Sequence, residues 1–301
     1  MPANTSHEQL QEGYERVAEH MQNSDVQTFP VVLVFIDEEK NRLQIGVKKQ
    51  AEISLNEVST QLQALLNDIP FDVGEAEGKS DAKKIPSQEE NQPQGAERIR
   101  PLQGGTRIAS RGISGAGTLG IVTTDSQGFK ATIITAGHVM GPKGSEVGQP
   151  SSANGDLIGE VVDNGLDWEK QVDVAFVEIL NAYASVGVIW TPNGNFKLAG
   201  YTTPDKGSTV TMYGSVTPNP AQGILARYAS IRTESGLTLK NICFATYQRA
   251  GGDSGAPIVG QGPDGLSLVG IHQGAYQSNG VWYSVFSPPE LWFSRLPLNF
   301  V

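Results

Sequence analysis

The stretch Arg249–Gly260, RAGGDSGAPIVG, sets Asp253 and Ser254 between two glycines and runs straight into an apolar segment. Glycine loses more conformational freedom on folding than any other residue, so Gly252 and Gly255 around a polar pair need a reason. One reason is an ordinary tight turn. The other is a serine nucleophile held where backbone N–H groups converge. Nucleophilic catalysis by serine also needs a general base and an acid that orients it. The chain has 4 histidines. His7 and His20 fall in a leading helical stretch, which leaves His138 and His272. His138 closes the apolar run ATIITAGHV, where Gly137 frees the backbone as the strand finishes. Asp173 opens VDVAFVEIL, a polar residue at the head of an apolar strand, and this context favours it over Asp163 and Asp167. The order along the chain is His138, Asp173, Ser254.

These residues lie in a region patterned for β-structure. From residue 106 onward, about eleven short apolar runs recur between turn signals such as PDKG, TPNPAQG and QGPDG, a pattern that suits a double barrel or large sandwich. Residues 1–76 read differently. Leu10, Tyr14, Val17 and Met21 recur at helical spacing; VVLVFID (31–37) and RLQIGVKK (42–49) read as strands; Ser54 caps a second helix; FDVGEAE adds a third strand. This order predicts a small α+β domain. Residues 77–105, polar, charged and punctuated by Gly and Pro, read as a flexible linker.

Three segments together, TAGHV, VDVAFVEI and GGDSGAPIV, resemble the catalytic segments of the chymotrypsin-like serine proteases, in the order and rough spacing of the compact bacterial members. The resemblance covers about residues 106–295. It implies an all-β fold of two six-stranded barrels behind the α+β domain, and a serine endopeptidase working through an acyl-enzyme. By the same resemblance Ser254 would attack the scissile carbonyl, and His138 would take and return its proton. Asp173 would orient His138, and the N–H groups of Gly252 and Ser254 would form the oxyanion hole. LVGIHQG (268–274) resembles the strand lining the primary specificity pocket, with His272 and Gly274 in its wall and Gln248 and Arg249 beside it. A histidine at that place is similar to the glutamyl endopeptidases and implies a preference for Glu or Asp before the scissile bond. Gln248 and Tyr276 depart from that subgroup. The leading domain resembles a pro-region, with Glu89, Glu90 and Glu97 as sites for self-cleavage, or else a permanent regulatory domain in contact with the protease domain. The layout RPLQGG…TAGHV…GDSGAP also resembles signal-less trypsin-like bacterial proteins with an extra N-terminal domain, which is compatible with a homo-oligomer.

Composition narrows the partners. The 301 residues carry a formal net charge of −10, so no basic footprint is available for nucleic acid, and the expected partner is a protein or peptide substrate. No cofactor or metal is implied. One cysteine, Cys243, precludes an internal disulfide and reads as a small buried hydrophobe. The polar, acidic N-terminus lacks the pattern of a secretory signal, and no run has the length of a membrane span, so the expectation is a cytoplasmic location with no membrane partner. Trp190, Trp282 and Trp292 read as packing residues.

Overall fold

The protein is described by a computed structural model that covers residues 5–49, 51–80, 95, 97–125, 130–169, 171–233, 235–294 and 298–299. In chain order the elements begin with α1 (His7–Asn23), β1 (Val31–Asp37), β2 (Arg42–Lys48), α2 (Leu55–Leu66) and β3 (Phe71–Ser80). There follow β4 (Leu102–Gly104), β5 (Arg107–Ser110), β6 (Gly117–Thr118), β7 (Ile121–Asp125), β8 (Ala131–Thr135), β9 (Glu146–Gly148), β10 (Leu157–Asn164), β11 (Ala175–Ile179) and β12 (Ala184–Ile189). The last group is β13 (Phe196–Lys197), β14 (Gly200–Tyr201), β15 (Thr209–Met212), β16 (Ala221–Arg232), β17 (Thr238–Ala245), β18 (Pro257–Gly262), β19 (Gly265–Ser278), β20 (Val281–Ser287) and β21 (Leu298–Asn299). They fall into two compact units. Unit 1 takes Met1–Lys79, Arg227–Phe244 and Ala275–Tyr283; unit 2 takes Ser80–Ala226, Ala245–Gly274 and Ser284–Val301.

Unit 1 follows the local signals closely. Ser6 and Ser54 each form a reciprocal capping box, with Gln9 and Glu57, which satisfies the first N–H groups of α1 and α2. The stripe Leu10, Tyr14, Val17 and Met21 of α1 is buried with Val58 and Leu62 of α2 against Val34, Leu43 and Ile45 of the sheet. β1 pairs antiparallel with β2, and β3 runs parallel to β2. The run VVLVFID is apolar on both faces because both are covered. Val34 meets the helices, whereas Phe35 carries the Arg227 guanidinium 4.1 Å above its ring. The same guanidinium lies 4.4 Å from the Tyr283 ring, a cation–π clamp in a half-buried place.

This unit reaches beyond the expected 1–76 segment. β1 pairs antiparallel with β16 through Leu33↔Ile231 and Val34↔Ser230. Tyr14 hydrogen-bonds the Ser230 hydroxyl at 2.6 Å and Asn241 at 2.9 Å, and Arg232 donates to the carbonyls of Met21, Ser24 and Phe29. Local periodicity carries no information about partners roughly two hundred residues away.

In unit 2 one sheet runs β21-β7-β8-β11-β10-β9-β5-β6. Its interior is filled by Ile121, Ile133, Val147, Ile158, Val161 and Phe176, with Trp292 packed on Phe176. A second sheet, whose strands are not confined to unit 2, has the neighbours β19-β18-β15-β16-β17-β20 and returns to β19, so six strands close a ring. The segment expected as a linker has structured ends. Residues 77–80 continue β3, and Leu102, fully buried, lies in β4, which pairs parallel with β12. Residues 81–94, with Glu89 and Glu90, lie outside the described residues. Cys243 is buried as expected. Trp292 is a core residue, whereas Trp282 is 44% exposed, because the first two residues of β20 lie outside the core that its last four enter.

Candidate active site

His138, Asp173 and Ser254 come from three separated loops of unit 2. β8 ends at Thr135, and a 3-10 turn over Gly137–Val139 carries His138. A Cβ on Gly137 would lie 2.6 Å from the Asn164 Oδ1 and 3.2 Å from the Asp173 Oδ1, so this turn admits no side chain there. Asp173 sits just ahead of β11, as its sequence context suggested. Its Oδ1 accepts the His138 backbone N–H at 2.8 Å, and its Oδ2 lies 2.7 Å from His138 Nδ1. The other ring nitrogen, Nε2, lies 2.9 Å from the Ser254 Oγ. Asp173 therefore holds the imidazole at two points, through backbone and ring. With the Nδ1 proton directed to the carboxylate, Nε2 is left as an acceptor facing the serine. The rival Asp163 is engaged elsewhere, accepting the Trp168 Nε1–H at 2.9 Å.

Ser254 sits in a turn built around Asp253. The Asp253 carboxylate is fully buried and accepts four donors: the N–H groups of Val216 (2.9 Å), Thr217 (3.1 Å) and Ala250 (2.8 Å), and the Thr217 hydroxyl. A buried carboxylate is tolerated only when its lone pairs are met in this way. Gly252 and Gly255 take φ values of 104° and 92°, in the left-handed region where a side chain is strained. The Gly252 carbonyl accepts the Thr118 hydroxyl at 3.0 Å, and the Ser254 carbonyl accepts the Thr118 N–H at 2.7 Å. Among the described residues, neither the Gly252 N–H nor the Ser254 N–H donates to a protein acceptor. Two N–H donors beside the Ser254 hydroxyl are thus unspent among the described residues.

Several contributors had no signal in the sequence. Asn164 donates from its side chain to the carbonyls of Gly137 (3.1 Å) and Gly141 (3.4 Å) and so pins the His138 turn. The Gln273 carbonyl lies 3.1 Å from Ser254 Oγ and competes with His138 for its proton. The Gln273 side chain reaches Ser287, and its Oε1 is buried with no hydrogen-bond partner among the described residues. Tyr247 is the third: its hydroxyl lies 2.8 Å from the Nδ1 of His272.

The expected pocket residues are placed as follows. His272 is fully buried in β19, its backbone bridging the nucleophile turn through Gly255 N–H (2.7 Å) and Ala256 carbonyl (2.9 Å). Gly274 is buried in the same strand, Arg249 is half-buried and Gln248 is exposed. Tyr276 belongs to unit 1, its hydroxyl 2.8 Å from the Val32 carbonyl and 2.9 Å from that of Arg232. It is therefore occupied in the α+β unit rather than available to a pocket wall.

No protein-family model matches the chain, and no curated protein does. Solved structures do. Protease A of Thermobifida fusca is 22% identical with a TM-score of 0.54, over 66% of this chain and 98% of that one. Nocardiopsis protease is 20% identical with a TM-score of 0.53, over 66% of this chain and 97% of that one. A glutamic-acid-specific serine protease that uses a histidine triad in substrate binding is 19% identical with a TM-score of 0.54, over 66% of this chain and all of that one. The chain has the chymotrypsin-like double-barrel fold, preceded by an α+β unit. Among the described residues, no helix is long and apolar enough to cross a membrane.

Proposed function

We propose that this protein is a serine endopeptidase with Ser254 as nucleophile, His138 as general base and acid, and Asp173 as the orienting carboxylate. The observation that carries this reading is the unbroken hydrogen-bonded series Asp173–His138–Ser254, with distances of 2.7 and 2.9 Å. As Ser254 Oγ attacks a peptide carbonyl carbon, its proton passes to His138 Nε2. The C=O electron pair moves to oxygen, where the unspent N–H groups of Gly252 and Ser254 stabilise it. Asp173 stabilises the imidazolium so formed. Collapse of the tetrahedral species returns the proton to the leaving amine and leaves an acyl-serine, which water hydrolyses by the same steps. The substrate is a protein or peptide, and the chemistry requires no cofactor.

The finer reading adds a preference for Glu or Asp before the scissile bond. It is supported by His272 in β19 and by Arg249 ahead of the nucleophile turn. The histidine triad of the glutamic-acid-specific relative has no counterpart in unit 2, which holds only His138 and His272. Recognition of a carboxylate by histidine in unit 2 therefore rests on His272 with its Tyr247 partner, and Arg249 is the accompanying cation. Self-cleavage within 77–105 is the accompanying reading. Glu97 is exposed, although its carbonyl is held by the Gln149 side chain at 2.9 Å.

A second reading, a latent or non-catalytic protease-fold binding module, is favoured by one observation: Ser254 is 0% exposed. Fluorophosphonate labelling of the full chain beside Ser254→Ala separates the two. Labelling of the wild type that is lost in the variant supports the peptidase. Absence of labelling in both supports the latent module.

A further inference from the structure

Unit 1 contains a cavity of about 290 Å³ at the end of the sheet where β2 and β3 run out. That is the lower edge of the range of small-molecule sites. Three cations line it, Lys48, Lys49 and Arg232, against one described carboxylate, Glu77. This local balance opposes that of the whole chain, which has 22 basic and 32 acidic residues.

The three cations differ in kind. Lys48 and Lys49 are exposed and make no ion pair with a described carboxylate. Arg232 is 3% exposed, and its guanidinium is met by the neutral carbonyls of Met21, Ser24 and Phe29. Carbonyl dipoles satisfy its donors without cancelling its charge, so a buried positive charge persists beside the cavity. Burial pushes the Arg232 guanidinium below its ordinary value, with Asp25 nearby acting against this. Apolar walls complete the site. Val32 is buried, and the Tyr276 ring is fixed by its hydroxyl on the Val32 and Arg232 carbonyls. Gly78 keeps space beside that ring, since a Cβ there would lie 2.5 Å from it.

We infer that this cavity binds a small organic carboxylate, its anionic head among Lys48, Lys49 and Arg232 and its apolar body on Val32 and Tyr276. Half of the lining is apolar and the space is small, which fits an acylated amino acid better than a bare phosphate. The site stands independently of the peptidase reading.

The test is calorimetric titration of the full chain with N-acetyl-leucine, with the neutral N-acetyl-leucinamide and with inorganic phosphate. N-acetyl-leucine is expected to bind and the amide to remain silent. Binding is expected to weaken at least tenfold in Lys48→Gln/Lys49→Gln, whose exposed positions leave the fold intact, and to weaken with added salt. Ser254→Ala is expected to bind as the wild type does. No heat from N-acetyl-leucine at millimolar concentration, an affinity unchanged in the double variant, or phosphate bound in preference to the carboxylate would each overturn the assignment.

Discussion

The Nδ1 of His272 lies 2.8 Å from the hydroxyl of Tyr247, and their rings meet edge-on with centroids 5.5 Å apart. Tyr247 thereby anchors one ring nitrogen of a fully buried side chain. On the acidic-preference reading, Tyr247→Phe is expected to lower kcat/KM for peptides with Glu before the cleavage site by about 5- to 10-fold, the worth of one neutral hydrogen bond. Peptides with Leu there are expected to change little. An equal loss for both would assign the pair to packing.

Ser254→Ala is expected to abolish fluorophosphonate labelling and peptide hydrolysis together. Asp173→Asn keeps the shape but lets the imidazole adopt the wrong tautomer, at a cost of about 10⁴ in kcat. Steady-state kinetics of the three proteins, with circular dichroism to verify folding, check both.

Asp253 contributes through architecture. Asp253→Ala leaves the N–H groups of Val216, Thr217 and Ala250 without their acceptor. Each such donor costs about 1–3 kcal/mol where it is shielded from water. A fall in Tm of roughly 10 °C is expected. Labelling of Ser254 is expected to slow at temperatures where the variant is still folded. Unchanged labelling would show that the turn holds its shape without the carboxylate.

Deletion of residues 1–79 is expected to give insoluble protein rather than a freed catalytic domain. Unit 1 counts residues 227–244 and 275–283 among its own, and the deletion strips β1 from β16, leaving Ser230 and Ile231 without their strand partners. An unpaired strand edge with apolar neighbours is a template for aggregation. By the same pairing, a chain nicked within 81–94 is expected to stay in one piece on size-exclusion chromatography and to separate only in denaturant. A soluble, labelled fragment 80–301 would refute this.

Unit 1 also carries an acid-sensitive element. Burial acts to raise the Asp72 carboxyl, but hydrogen bonds from Arg42 and Gln44 outweigh it and hold the group below its ordinary 3.8. Hydrogen bonds from the Ser54 side chain and backbone hold Glu57 below 4.5. Both are depressed in the folded state, so the unfolded chain binds more protons in this range. Their stabilisation is complete above about pH 4.5 and is lost as pH falls through the folded values. Tm measured from pH 6 to pH 3 is expected to fall at the acidic end, and Arg42→Gln is expected to flatten part of that fall.

Local signals in the sequence reached a long way. The Ser6 and Ser54 caps, the α1 stripe and most strands of both barrels follow from propensity and periodicity. So does the placing of His138 at a strand end and Asp173 at a strand head, because side-chain type and backbone freedom are local properties. Short strands such as Leu102–Gly104 were illegible, since three residues carry no periodicity and owe their form to pairing with β12. Only tertiary structure could join His138 to Ser254, 116 positions apart, or recruit Asn164, Gln273 and Tyr247 to the site. Only it could give residues 227–244 to the N-terminal unit. Hydrogen bonds between distant residues depend on where whole strands come to rest, whereas the amino-acid sequence taken locally determines what each segment offers when it arrives there.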